Sequence, residues 1–247
     1  SISDYVFSGC KSLTSMDIPD GVTSIGKSAF SDCIGLTSIT IPNSVTSIED
    51  SALSGCDNIN YISIGKVLNS INWYEFCKST SITHVNISYG VTSIAKSTFS
   101  KCANLTLITI PDSVTTIGDS AFSGCKGLTS IDIPNSVTSI SHGLFSNCIG
   151  LTSINISSGI TFIGNSAFSG CTGLTSVDIP NSITSIGNYT FSDCKSLTSI
   201  GIPSSITSIG EGAFSGCASL ASVIVPDGIT SISDYVFSGC KSLTSMD

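Results

Sequence analysis

The sequence predicts a β-rich α/β solenoid of about 10–11 turns, each of 23 residues. Three observations predict it. Isoleucine recurs every 23 positions from Ile2 through Ile117 to Ile232. Ten of the eleven phenylalanines keep the same step, from Phe7 to Phe237, with Leu53 filling the one gap. All seven prolines share one slot: Pro19, Pro42, Pro111, Pro134, Pro180, Pro203 and Pro226. The array has no insertion or deletion, so every slot can become a continuous column. A chain of this kind grows by adding turns and not by closing one core.

The turn beginning at Leu128 shows what each slot does. Ile131 and Ile133 are β-branched and two apart, which reads as a short strand with both side chains inward. Pro134-Asn135-Ser136 reads as a turn, because proline presets φ and asparagine bonds its own backbone. Val137 and Ile140 point inward on a second extended segment. Gly118, Gly164, Gly187 and Gly210 follow the isoleucine column and allow a tight corner. The stretch from Ala121-Phe122 to Cys125 is the best place for a short helical or 3-10 turn. One turn cannot bury its own apolar side. Stacking at the strand spacing of about 4.8 Å buries all of them, giving a body roughly 50 Å long.

Composition narrows the function classes. Apolar residues make up 40%, aromatics 7% and charged residues 11%, and the net charge is −8 with no arginine. A negative, arginine-free chain is a poor match for nucleic acid. No apolar run is long enough to span a membrane. Both ends fall in mid-repeat, so the expectation is a single solenoid over 1–247 that is a segment of a longer array.

The pattern Leu-x-x-Ile-x-Ile-Pro-x-x-Val-x-x-Ile, followed by Phe145 and Cys148, resembles the BspA-like class of leucine-rich repeats. The resemblance covers essentially the whole chain. It implies a leucine-rich-repeat solenoid with its main strand ladder on a concave face, a cell-surface or extracellular location, and a role in adhesion or protein–protein interaction. It carries no catalytic motif, so no enzyme activity, catalytic residue, cofactor or metal is expected. The ligand class stays open between protein and glycan.

Residues 58–89 depart most from the repeat. Gly65 and Ser88 replace proline, Glu75 replaces alanine, Trp73 is the only tryptophan, and Cys77 lies two residues before its slot, which Ser79 fills. The outward strand slot is serine in most turns (Ser38, Ser130, Ser153, Ser176) but reads Tyr61, His84, Leu107 in three consecutive turns. With Asn86 and Thr109 beside them, these form a candidate binding patch; the alternative is a drifted repeat whose substitutions repair each other's packing. Trp73 and Tyr74 belong to a different edge.

Ten cysteines form a column at the 23-residue step. That spacing is no zinc motif. Buried small hydrophobes are the expectation, with disulfides between stacked neighbours geometrically conceivable. His142 follows the isoleucine column at a corner, and no Ser-His-Asp set is singled out. Asp17, Asp132, Asp178 and Asp247 share an outward slot, and Asn155 separates the middle two, which reads as a solvated face or a weak cation or polar-ligand site. Four sequons, at Asn86, Asn104, Asn155 and Asn188, are candidate N-glycosylation positions.

Residues 1–17 and 231–247 are identical, an offset of ten repeats. Either one segment was recently duplicated, or 230 residues form a higher-order unit. The second reading, with apolar columns uncapped at both ends, leads to a runner-up function: a structural fibre or stalk built by end-to-end self-association.

Overall fold

The computed structural model describes residues 1–49, 51–79 and 81–246. The side chains of Glu75, Lys78 and Ser79 are not described, and Asp50, Thr80 and Asp247 lie outside the described residues, the outward-slot reading of Asp247 with them.

The 23-residue step becomes physical register. Ser15–Asp17, Ser38–Ile41, Tyr61–Ile64, His84–Ile87 and Leu107–Thr109 form one parallel five-stranded ladder. Ile39 pairs with Ile62, Ile62 with Val85 and Val85 with Ile108. Side chains alternate across a strand, so this line faces the core and its neighbours face out. Further along, Ser176–Asp178 pairs with Ser199–Gly201, and Ser222–Val223 with Ser245–Met246. Ile131–Ile133, expected as a strand, is extended but lies outside the ladder; Ile131 and Ile154 are nonetheless buried. What loosens there is the pairing, not the packing.

A second, shorter ladder runs behind the proline turn. It joins Ser24–Ile25 to Ser47–Ile48, Ser93–Ile94 to Thr116–Ile117, Ser139–Ile140 to Phe162–Ile163, and Ser185–Ile186 to Ser208–Ile209. The proline turn closes with a bond such as Val137 N–H to the Pro134 carbonyl, 3.0 Å. The same bond forms without proline, from Val91 to Ser88 and from Ile160 to Ser157. Proline therefore presets the turn but is not required for it.

The Phe/Cys segment is a run of short turns, as expected of a stretch too short for a helix: Ala121, Ser123 and Cys125 donate to carbonyls three residues back. Ser120 (φ 56°) and Gly124 (φ 75°) stand in the left-handed region, which interrupts a right-handed helix. Alternate amides donate to the next turn, as from Phe122 to Leu144 (3.1 Å) and from Gly124 to Ser146 (2.7 Å). In the ladders the amides donate to the preceding turn, as from Gly118 to Ile94 (2.9 Å). Each turn is thus fastened to both neighbours.

Three side-chain columns strengthen the stack. Phenylalanine rings lie parallel at centroid spacings of 5.4–5.7 Å from Phe99 to Phe237. Such pairs add about 0.5–1.5 kcal/mol each beyond burial. Threonine hydroxyls donate to the preceding turn's threonine carbonyl, as from Thr37 to Thr14 (3.0 Å) and from Thr115 to Thr92 (3.3 Å). The abundance of threonine is therefore structural as well as solvating. The cysteines form the third column. Cys125 Sγ lies 3.1 Å from the Phe99 carbonyl, Cys148 Sγ 3.1 Å from Phe122, and Cys171 Sγ 3.1 Å from Phe145. The buried small hydrophobe is thus also a donor to the second lone pair of a buried carbonyl. Burial pushes the Cys56, Cys148 and Cys217 thiols up to about 12, so they stay protonated donors.

Candidate binding face

The irregular turn is where the two sides of the solenoid behave differently. On the second-ladder side, a 3-10 helix, Lys66–Ser70, replaces the short strand, and a helix, Trp73–Ser79, replaces the Phe/Cys turns. Gly65 allows the collapse: a Cβ there would sit 2.6 Å from the Asn43 backbone nitrogen. The Asn43 side chain then reaches past it to the Tyr89 carbonyl, 2.7 Å, two turns on. Trp73 is buried, donates Nε1–H to the Leu68 carbonyl (2.9 Å), and lies on Phe99 at 4.7 Å between ring centroids. It takes the seat that phenylalanine holds elsewhere, with Phe76 edge-on against it at 5.5 Å.

Cys77 is joined to Cys102 by a disulfide, with Cα atoms 5.0 Å apart. The displaced cysteine therefore reaches the next turn's column, and the helix is tied to the regular stack. The other nine cysteines are free thiols. The column is thus mainly buried thiol, as expected, with one disulfide bond at the irregular turn.

On the main-ladder side the irregular turn keeps its strand pairing. Ser38–Ile41, Tyr61–Ile64 and His84–Ile87 are the longest strands described, four residues each. The register places Tyr61 beside His84 and His84 beside Leu107. Tyr61 is 38% exposed, Leu107 50%, and His84 is exposed. The three sequence-predicted residues form one outward row.

Thr83 Oγ1 donates to the Asn60 carbonyl, 3.1 Å, as the threonine column does elsewhere. The same hydroxyl lies 2.7 Å from His84 Nδ1, which fixes the ring against the strand. In the adjoining row, Asn86 pairs with Ser63 and Thr109, and its Nδ2 donates to Ser63 Oγ, 2.9 Å. Neither row carries a formal charge in these three turns.

The other candidates stay apart from this face. Asn104 and Asn155 are exposed on separate turns. Asn188 Oδ1 accepts the Glu211 amide at 3.0 Å, and the hydroxyl of its sequon partner Thr190 is buried against the Gly187 carbonyl at 2.8 Å. His142 has a structural role that its sequence position did not reveal. Its amide donates to Asp119 Oδ1 (3.1 Å), and its Nδ1 accepts the Asn165 amide (2.9 Å). Asn165 and Asn188 repeat that contact upward. The legible signal was the shared slot 23 residues apart. Among the described residues, no three His, Cys, Asp or Glu side chains gather as a metal site requires, and no helix is long and apolar enough to cross a membrane.

The family model for the BspA type leucine rich repeat region, in six copies, matches residues 1–129 and 116–244. The chain belongs to the BspA-type leucine-rich repeat family. A leucine-rich repeat protein of Bacteroides ovatus is similar in structure, with 28% identity over all of this chain and 76% of that one, TM-score 0.57. A leucine rich cell surface protein of Faecalibacterium prausnitzii is similar at 29% identity, over 99% of this chain and 82% of that one, TM-score 0.50. The T. pallidum leucine-rich repeat protein shares the fold at 22% identity, over 88% of this chain and 81% of that one, TM-score 0.50. No curated protein matches the chain. Members of this repeat family and fold are typically non-enzymatic.

Proposed function

We propose that this BspA-type solenoid is a non-enzymatic recognition module of the cell surface or extracellular space, and that it binds its partner through the row Tyr61, His84 and Leu107. The observation that carries the reading is the coincidence at one turn. Serine gives way to an aromatic, an imidazole and an apolar side chain in three successive turns of the five-stranded ladder. Exposed aromatic and apolar groups on a continuously paired backbone are the usual anchors of an interface. Drift alone does not require the exposed row to lie on that ladder. The cell-surface description of the Faecalibacterium relative supports the location.

The reading is tested by presenting the purified chain to a panel of immobilised extracellular-matrix proteins. Saturable binding to at least one at micromolar concentration is expected. Absence of binding across the panel would remove the recognition role.

A further inference from the structure

The main-ladder row is not the only departure from the repeat. On the opposite side, the slot after the isoleucine column is Gly, Ala or Ser in nine turns: Ser3, Gly26, Ala95, Gly118, Ser141, Gly164, Gly187, Gly210 and Ser233. The reason is the stack. A Cβ at Gly118 would lie 2.5 Å from the Lys96 backbone nitrogen, and one at Gly164 would lie 2.6 Å from that of His142. Where serine enters, its hydroxyl folds onto the preceding turn, as Ser141 does on the Ile117 carbonyl. A longer side chain has no room while the turns are closed.

Two consecutive turns break this rule, with Glu49 and Asn72. At the same place the phenylalanine column shortens to Leu53, and helix Trp73–Ser79 replaces the corner. A cleft of about 540 Å³ opens there. Glu49, Asn72, Ser51, Ser54 and Ser70 line it together with Leu53 and Phe76. Glu49 and Asn72 are both exposed. The volume lies within the range of small-molecule sites, about 300–1,000 Å³.

We propose that this cleft binds a neutral saccharide, one or two rings in size. A sugar ring carries hydroxyls around its edge and C–H groups on its faces. The cleft offers the matching set: the Glu49 carboxylate and the hydroxyls of Ser51, Ser54 and Ser70, with Leu53 and Phe76 as apolar lining. A wholly apolar ligand would strip water from those polar groups without replacing their hydrogen bonds. An anionic ligand would meet the Glu49 carboxylate, and no described lysine lines the cleft to offset it. The site is separate from the Tyr61 row and does not depend on it.

The test is saturation-transfer NMR on the full chain with glucose, galactose, N-acetylglucosamine and glucuronate. At least one neutral sugar is expected to bind at millimolar concentration, and glucuronate at least tenfold more weakly. Glu49→Gly with Asn72→Ala restores residues used at this slot elsewhere, so the fold is retained and binding falls at least tenfold. Should that pair disturb folding, Glu49→Gln keeps the volume and removes the charge; it is expected to narrow the gap between glucuronate and the neutral sugars. A chain with Tyr61, His84 and Leu107 changed to serine is expected to keep its sugar binding. No signal from any neutral sugar at tens of millimolar, equal binding by the folded double variant, or an unchanged glucuronate gap in Glu49→Gln would overturn the proposal.

Discussion

Raising the pH will unfold this solenoid through its cysteines. In an unfolded chain a thiol ionises at about 8.5. In the stack, burial holds Cys56, Cys148 and Cys217 up to about 12 and pushes Cys125, Cys171 and Cys194 well above the ordinary thiol value. Between those limits the folded state binds more protons than the unfolded one, so stability falls as pH rises. The slope is about 1.4 kcal/mol per pH unit for each thiol. These six thiols give about 8 kcal/mol per unit, against a typical total of 0.05–0.15 kcal/mol per residue, or roughly 12–37 kcal/mol for a chain of this length. A margin at the lower end is therefore gone about 1.5 units above the ordinary thiol range, and the slope itself persists only up to about 12. The assay is urea unfolding followed by circular dichroism at pH 7 to 11, without reductant. The control is Cys148→Ala, which removes one thiol and lowers the slope by about 1.4 kcal/mol per unit. An unfolding midpoint unchanged between pH 8 and 10.5, or a Cys148→Ala slope equal to that of the parent, would refute the reasoning.

At pH 7, where the thiols are protonated throughout, Cys148→Ala should cost about 1–2 kcal/mol in urea unfolding, from a small cavity and the loss of the second hydrogen bond to the Phe122 carbonyl. Removing the Cys77–Cys102 disulfide closes one loop fewer, with a sequence separation of 25. By loop entropy this lowers stability by about 3 kcal/mol, read as a shift of the urea midpoint and of Trp73 fluorescence in the Cys77→Ser/Cys102→Ser chain. Gly164→Ala should destabilise by about 1–3 kcal/mol, because the new methyl meets the His142 backbone at 2.6 Å. Gly21→Ala, with nothing within 4 Å, should be neutral or slightly stabilising in the same thermal melt.

What was legible in the sequence follows from what a column is. A slot occupied identically at a fixed step declares its neighbour, so the phenylalanine, isoleucine and proline columns foretold register, core and turn. The outward row Tyr61, His84, Leu107 was legible for the same reason. Contacts that depend on backbone conformation or on a change of step were harder to read. Cys77 was visibly out of place, but its partner became clear only once the helix carried it toward Cys102. The Phe/Cys segment was legible as a short turn. Its left-handed serines such as Ser120 were not, because serine gives little warning of a positive φ. The glycines after the isoleucine column were read as corners. Their deeper constraint, the backbone of the turn behind them, is what gives Glu49 and Asn72 their meaning.

The central claim is that recognition resides in the outward row of the irregular turn. The direct measurement is the concentration of protein that half-saturates a bound matrix protein, for the parent and for the chain with Tyr61→Ser, His84→Ser and Leu107→Ser. These side chains project outward from a ladder whose usual residue is serine, so the thermal midpoint should stay within about 3 °C of the parent. The account predicts at least a tenfold rise in the half-saturating concentration, about 1.4 kcal/mol. An unchanged value, with the fold intact, would contradict it.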